Sequence, residues 1–146
     1  MTENYTFTLD ESANSDDVQT IRDGLITYNL QFVPDAQYLP LNIFLRDTDG
    51  RVVGGLIGNT YWGWLYVSLF WVDESARRDG NGSRMLAMAE QEALRRGCHH
   101  AHLDTLDFQA PAFYEKLGYT LWGTLEDLPL GHQRYFYQKE LSADHA

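Results

Sequence analysis

The chain has 146 residues, 44% of them hydrophobic and 14% aromatic, which suits one domain with a substantial core and excludes a disordered protein. Its formal net charge of -10 disfavours binding to nucleic acid and mildly favours a partner that carries an amine. The single cysteine, Cys98, excludes an intrachain disulfide, and no Cys/His spacing indicates zinc, so we expect no metal. Because the sequence shows neither signal-peptide features nor an apolar run of membrane-spanning length, we expect a soluble, cytoplasmic protein without membrane contact.

Hydrophobic periodicity predicts the elements of the first half of the chain. In order, these are a short strand over residues 5–9, a helix from Asp16 to about Phe32, and strands over residues 41–46, 52–59 and 60–72. An Asp-Gly pair joins the second and third of these strands and is typical of a tight hairpin turn. The segment 60–72 is apolar or aromatic on both faces, which predicts a central strand.

The second half of the chain continues the mixture of strands and helices. We predict a helix over residues 82–97, a strand over 99–106, a helix that begins near Pro111 and ends at Gly118, and strands over 119–125 and 132–141. The predicted order is β-α-β-β-β-α-β-α-β-β. We therefore expect an α/β (mixed α+β) fold: a single domain over residues 1–146, core about 5–141, with a central mixed, twisted sheet of about six to seven strands and helices on both faces.

A basic, glycine-containing turn precedes the helix that begins near Gly82. Helix N-termini carry backbone N–H groups without intrahelical partners, together with partial positive charge. Gly80 and Gly82 let backbone N–H groups approach a ligand, and Arg77, Arg78 and Arg84 add positive charge. This combination indicates an anion pocket, most simply for phosphate, although a solvated turn without a ligand would show the same residues. Neither a P-loop nor a dinucleotide-binding glycine motif is present.

The same turn, "RRDGNG", resembles motif A of the GNAT superfamily of N-acetyltransferases. The motif has Arg or Gln, two residues, Gly, one residue, and Gly or Ala, and here Arg77, Gly80 and Gly82 meet it. The resemblance implies that backbone amides of the turn cradle the pyrophosphate of acetyl-CoA. The residues it assigns to cofactor binding in this turn are Arg77, Arg78, Asp79, Gly80, Asn81, Gly82 and Ser83.

A second stretch, "DFQAPAFYEKLGY" (residues 107–119), resembles motif B of the same superfamily through Ala110, Phe113, Tyr114, Lys116, Gly118 and Tyr119. It implies cofactor contacts by Asp107, Phe113 and Tyr114, with Asp107 standing where the motif usually has Asn. The family also uses the splayed end of its central strand, which implies backbone contacts at Phe70, Trp71 and Val72. We expect the side chains of Trp71 and Val72 to be core.

The resemblance implies direct transfer of an acetyl group from acetyl-CoA to a primary amine, here expected to belong to a small molecule. Tyr114 matches the family's general acid, and a phenol with a pKa near 10 suits a thiolate leaving group. Glu74 is our candidate for the general base. The alternatives for that role are Asp73, Asp104, His99, His100, His102 and His132. A protein acetyltransferase and a non-catalytic acyl-CoA-binding module are the alternative functions.

Four further features complete the sequence predictions, and two of them leave two interpretations open. Tyr61, Trp62 and Trp64 are either core residues or an aromatic wall for an apolar or cationic acceptor. Alternation sends His100 and His102 to one face of their strand and His99 to the other. The family often pairs through its C-terminal strands, which implies a possible homodimer, but the aromatic residues of "RYFYQKEL" are equally typical of sheet core. Cys98 has no activating neighbour in sequence and is interpreted as packing.

Overall fold

The computed structural model describes residues 4–143, in two compact units that meet in sequence at Asp35 and Ala36. The first unit contains helix α1, Ser15–Asn29, which begins where the Asn14 side chain accepts a hydrogen bond of 2.7 Å from the Asp16 amide. The predicted helix is confirmed, although it ends at Asn29 because the chain then tightens into turns, with Phe32 donating to the Asn29 carbonyl at 3.0 Å. The strand predicted over residues 5–9 is wrong, because these residues join no sheet ladder and alternation alone cannot satisfy their backbone.

The second unit is built on a six-stranded mixed sheet in the order β1-β2-β3-β4-β6-β5. The pair β3–β4 is parallel, and the other four pairs are antiparallel. The mixed sheet with flanking helices that the sequence predicts is confirmed. The elements are β1 (Leu39–Arg46), β2 (Val52–Tyr61), β3 (Trp64–Val72), a 3₁₀ turn (Glu74–Ala76), α2 (Asn81–Arg95), β4 (His100–Leu106), α3 (Pro111–Lys116), β5 (Thr120–Glu126) and β6 (Gln133–Glu140).

Within this unit, α2 and α3 cover the same face of the sheet. The buried stripe of α2, which includes Leu86 and Ala89, packs against Leu56 and Leu65 in one apolar cluster. Tyr114 of α3 belongs to the same cluster. Since α2, α3 and the sheet share one core, the two helices are fixed in position against the strands.

The hairpin between β2 and β3 was not predicted. Trp62 and Gly63 have φ values of 47° and 76°, which form a two-residue turn of the kind that connects twisted antiparallel strands. The single strand predicted over residues 60–72 is therefore wrong at its start, because Thr60 and Tyr61 belong to β2. A tryptophan in the left-handed region is unusual, so the sequence gives little warning of this turn.

A β-bulge at Ser68 changes which side chains of β3 face the helices. Gly58 pairs with Val67, whereas Ile57 pairs with Leu69, so Ser68 is an extra residue, and its hydroxyl donates to the Ile57 carbonyl at 2.9 Å. Before the bulge the odd-numbered residues are buried, and after it Phe70 turns towards the core. The expectation that Trp71 is a core side chain is wrong, because it is 53% exposed. Val72 is half-buried.

The C-terminal strand β6 is hydrogen-bonded to β4 on one side and β5 on the other. Its alternating aromatic residues are therefore explained by ordinary packing within the sheet, and β5 is the strand at the edge. Across residues 4–143, no helix combines the length and the apolar character needed to cross a membrane.

Candidate active site

A cleft in the second unit opens where β3 and β4 separate. The two strands pair only from Trp64 to Val67 on β3 and from His100 to Leu103 on β4. Beyond these residues both strands continue without pairing to each other, and a cleft of about 780 Å³ lies between them. The edge of Phe70, Trp71 and Val72 that does not face β2 is thus unpaired with β4 and borders the cleft.

The N-terminus of α2 borders this cleft without a side-chain cap. Gly80 occupies the cap position in the left-handed conformation, with φ 73°, and makes no side-chain hydrogen bond to the helix. The first helical bond runs from the Arg84 amide to the Gly80 carbonyl at 3.1 Å, so the amides of the first turn keep their donors for a ligand. Gly82 and Ser83 line the cleft. The arrangement is a cradle for an anion.

The predicted turn divides into residues that reach the cleft and residues that do not. Arg77 lines the cleft, and its Nε donates to the Val72 carbonyl at 2.8 Å, which ties the turn to the end of β3. The Asn81 side chain donates to the Ala76 carbonyl at 3.0 Å and thereby holds the turn closed. The side chains of Arg78 and Asp79 are exposed and are not part of the cleft lining.

Tyr114 lies in the wall of the cleft within a group of aromatic rings. Its ring centroid lies 5.2 Å from that of Phe113 and 6.4 Å from that of Phe70. The residue is only 7% exposed, and within residues 4–143 its hydroxyl has no hydrogen-bond partner. Burial, reinforced by the nearby charge of Asp104, raises the pKa of Tyr114 to about 12. The hydroxyl is therefore protonated at neutral pH and is a weaker acid than the phenol with a pKa near 10 expected from the sequence.

An ion pair lies in the same cleft. Asp104 of β4 and Arg134 of β6 both line it, and Arg134 Nη1 donates to Asp104 Oδ1 at 3.0 Å. The sequence singles out Asp104 but gives no signal for Arg134. The two residues meet because β4 and β6 pair in antiparallel register, with Asp104 opposite Phe136. A register between strands about 30 residues apart is not visible in either strand alone.

The comparison with protein families identifies the chain. A family model described as "Acetyltransferase (GNAT) family" matches residues 8–119. The chain belongs to this family. The GNAT resemblance stated from motifs A and B is confirmed, and the protein is an acetyltransferase.

Relatives of this acetyltransferase extend over nearly its whole length. Acetyltransferase Atu2258 of Agrobacterium fabrum is 41% identical over 133 residues, which cover 91% of this chain and 97% of the relative. Blasticidin-S acetyltransferase of Streptomyces morookaense is 45% identical over 116 residues, which cover 77% of this chain and 85% of the relative. The crystal structure of an acetyltransferase from Bacillus cereus is 34% identical, has a TM-score of 0.82, and is matched over 92% of this chain and 98% of that one.

The carboxylates predicted next to β3 in this acetyltransferase do not reach the cleft. Glu74 lies in the exposed 3₁₀ turn and is not part of the cleft lining. Asp73 caps that turn by accepting hydrogen bonds from the hydroxyl and the amide of Ser75, and these bonds lower the pKa of Asp73. A carboxylate with a lowered pKa is a poorer base, so the structure favours neither residue for proton removal.

Asp107 of the acetyltransferase is not part of the cleft lining, and its side chain instead fixes the segment where β6 begins. One carboxylate oxygen lies 3.0 Å from Nδ1 of His132, and the other accepts from the Gln133 amide at 3.2 Å. Both oxygens are thus used to fix the start of β6. Phe108, which the sequence does not single out, lines the cleft and packs its ring against His132.

The remaining candidate bases lie outside the cleft of the acetyltransferase. His100 and His102 point to one face, as predicted, and stack on Trp64 and Tyr66 with centroid distances of 4.6 and 4.7 Å. His99 is exposed and immediately precedes β4. Cys98 is buried, and burial raises the pKa of its thiol, which opposes a nucleophilic role. Among residues 4–143, no group of three or more His, Cys, Asp or Glu side chains is placed to hold a metal ion.

Proposed function

We propose that this acetyltransferase transfers an acetyl group from acetyl-CoA directly to a primary amine of a small molecule. The observation that carries the proposal is the cleft between β3 and β4, which joins an uncapped helix N-terminus to a protonated tyrosine without a hydrogen-bond partner among the described residues. Acetyl-CoA supplies an activated thioester and a diphosphate. The open amides at Gly82 and Ser83 fit the diphosphate, and the open edge of β3 fits an extended, amide-bearing arm.

The residues of the cleft then have separate tasks. Arg77 holds the phosphate-binding turn against β3 through the Val72 carbonyl. The aromatic rings of Phe70, Phe113 and Tyr114 exclude water from one wall, which strengthens electrostatic interactions inside the cleft. Tyr114 carries a proton that it can give to a leaving sulfur, and its raised pKa keeps that proton in place up to strongly alkaline pH.

For proton removal from the amine, the geometry favours Asp104 over Glu74. Asp104 lines the cleft and is half-buried; its Oδ1 accepts from Arg134, whereas its Oδ2 has no hydrogen bond within residues 4–143 and can accept a proton. Glu74 is exposed outside the cleft. A carboxylate in the cleft of a protein with net charge -10 attracts a cationic acceptor and orients it before the acceptor's ammonium group loses its proton. We expect Asp104→Asn to lower kcat/KM by about 100-fold to 10,000-fold and Glu74→Gln to leave it unchanged, since one positioned acid–base group contributes on this scale. Equal kcat/KM losses in both variants would restore Glu74 to the reaction.

The acceptor class is supported by charge and by relatives. The acidic chain repels phosphate backbones, which argues against an aminoacyl-tRNA acceptor. One relative at 45% identity is named for its action on blasticidin S, a named compound rather than a protein. A non-catalytic acyl-CoA-binding module would not need a protonated tyrosine in the cleft wall.

The test is the release of free thiol from acetyl-CoA in the presence of a panel of polyamines, aminoglycosides, amino acids, arylamines and N-terminal peptides. We expect turnover with small amines and none with peptides. Turnover with peptides alone would replace the small-molecule acceptor by a protein. Binding of acetyl-CoA without turnover in this panel and in whole-lysate acetylation would leave a binding module.

Assembly and location are separate expectations. The family resemblance implies a possible homodimer, and the edge strand β5, which carries exposed Leu121 and Leu125, is the C-terminal strand available for it. Light scattering of the purified protein tests this directly. A cytoplasmic location fits a reaction that consumes acetyl-CoA, and fractionation of cells tests it.

A further inference from the structure

A second pocket lies on the face of the sheet opposite α2 and α3. It has a volume of about 400 Å³, and it lies entirely within the second unit. Five strands and one turn supply its lining, which is almost wholly aromatic. The lining residues are Tyr61, Trp62, Trp64, His102, Trp122 and Gln138.

The floor of this aromatic pocket is a rigid layer of stacked rings. The ring of His102 lies 4.7 Å from that of Tyr66, almost parallel to it, and meets the ring of Trp64 edge-on at 5.5 Å. On its other side Trp64 stacks against His100 at 4.6 Å. Rings held on both sides keep their orientation and present a fixed surface to a ligand.

The walls of the pocket remain accessible. Trp62 in the hairpin turn is 48% exposed and Trp122 on β5 is 59% exposed. The flat faces of these tryptophan rings suit a planar ring of a ligand, since stacking between aromatic rings is favourable whatever the identity of the planar ring. Gln138 and His102 provide hydrogen-bond donors and acceptors at the floor.

The lining of the pocket offers no ion-pair partner to a charged ligand. None of its six lining residues is Asp or Glu, and burial lowers the pKa of His102, which therefore stays neutral at neutral pH. The nearest carboxylate along β4 is Asp104, two residues further on the same face, so the two α-carbons are about 7 Å apart. Asp104 lines the cleft between β3 and β4.

We propose that this aromatic pocket binds a planar, uncharged nitrogen heterocycle of the acceptor, while the acceptor's amine extends along β4 to Asp104 in the cleft. The inference rests on the proposed function and adds the substrate class: an amine about 7 Å from a flat ring with a hydrogen-bonding edge. Tyr61, Trp62 and Trp64, which the sequence left between core and acceptor wall, would then belong to the wall. The ring binds before and during the reaction alike, so its contribution falls on KM and leaves kcat unchanged.

The first arm of the test compares two acceptor series of increasing chain length. One series is 1-(ω-aminoalkyl)thymines and the other is ω-aminoalkylcyclohexanes of the same lengths, so that only planarity and the hydrogen-bonding edge differ. We expect kcat/KM to be at least about tenfold higher for the thymine series, as one stacked ring contributes on this scale, with an optimum at the chain that spans the distance to Asp104. Equal kcat/KM values in both series would overturn the proposal.

The second arm changes the pocket. Trp122→Ala and Trp62→Ala remove exposed rings, and Phe44→Ala, which removes an exposed ring on β1, is the matched control. We expect each tryptophan variant to raise KM for the thymine acceptor by about 5-fold to 100-fold, with kcat and the cyclohexane acceptors unaffected. The control should change none of these values.

Binding of 1-methylthymine, which has no amine, separates this inference from the proposed function. Quenching of tryptophan fluorescence that is lost in Trp122→Ala would support the pocket even if the protein acetylated no amine. Transfer to amines with no effect of either tryptophan variant would refute the pocket and leave the function standing.

Discussion

Replacing Tyr114 by Phe tests the chemistry assigned to the cleft. The change removes one oxygen that has no hydrogen-bond partner within residues 4–143, so no buried partner is left unsatisfied and stability should change by less than about 1 kcal/mol. A positioned general acid contributes about 100-fold to 10,000-fold. We therefore expect kcat in single-turnover experiments to fall by at least about 100-fold, which corresponds to about 2.7 kcal/mol of transition-state stabilisation. The affinity for acetyl-CoA, measured by calorimetry, should stay within about threefold.

The pH profile provides a second readout. A general acid works in its protonated form, so activity is lost as the pH rises through its pKa. With a pKa of about 12, Tyr114 is about 1% ionised at pH 10, whereas an unperturbed tyrosine would be about half ionised. The kcat of the native enzyme should therefore show no loss attributable to Tyr114 between pH 8 and pH 10. A descending limb centred near pH 10 that disappears in Tyr114→Phe would refute the assigned effect of burial.

Tyr119→Phe is the matched control for this experiment. The two rings are neighbours, with centroids 5.9 Å apart, but the Tyr119 hydroxyl donates to Glu90 at 2.8 Å and is not part of the cleft lining. Loss of a hydrogen bond to a charged group should lower the free energy of unfolding by about 1.5 to 3 kcal/mol while kcat stays unchanged. A Tyr114→Phe variant that retained kcat within about threefold would remove the tyrosine from the mechanism.

Three further predictions concern Gly82, Gly58 and Tyr114. Gly82→Ala should fold normally, because its Cβ would lie 3.4 Å from the Phe113 ring, but should raise KM for acetyl-CoA, whereas Gly24→Ala, with open space around it, should not. Gly58→Ala should lower the free energy of unfolding by about 1 to 3 kcal/mol or more in urea denaturation, because an added Cβ would overlap the Tyr66 carbonyl oxygen; unchanged stability would show that the bulge can move. Above pH 10 the native protein should lose stability, because an unfolded tyrosine ionises near pH 10 whereas folded Tyr114, with a pKa of about 12, resists ionisation; Tyr114 accounts for at most about 2.7 kcal/mol of this loss. Tyr114→Phe should reduce the loss without abolishing it, because burial also raises the pKa values of Tyr119 and Tyr137.

Most of the elements that carry the cleft between β3 and β4 could be predicted from local sequence. Helix α2 follows from its apolar stripe, which places Met85, Leu86 and Ala89 on the buried side, and from the glycines at both ends. The first hairpin follows from its Asp-Gly turn, where Gly50 adopts a φ of 82°. These features depend on residues close together in the chain, so periodicity and turn chemistry suffice.

What could not be predicted depends on partners distant in sequence. The bulge at Ser68 exists only relative to β2, so the expectation that the Trp71 side chain is core was wrong. The pair of Asp104 and Arg134 depends on the register of β4 with β6. Glu74 has a carboxylate that could act as a general base, but it lies in a 3₁₀ turn and is not part of the cleft lining. The geometry of such a turn leaves no periodic signal in the sequence.

The extra residue at Ser68 divides β3 into two stretches that can diversify independently. The stretch before Ser68 contributes Trp64 to the aromatic pocket. The stretch after Ser68 contributes Phe70 to the cleft between β3 and β4, and the Phe70 side chain lies on the opposite face of the sheet from Trp64. Libraries that randomise positions 61, 62 and 64 should therefore yield enzymes with new acceptors and undiminished affinity for acetyl-CoA. Because Ser68 is the extra residue, deleting it would remove the bulge and leave Phe70 facing the cleft and Leu69 facing away, so both stretches would keep their faces.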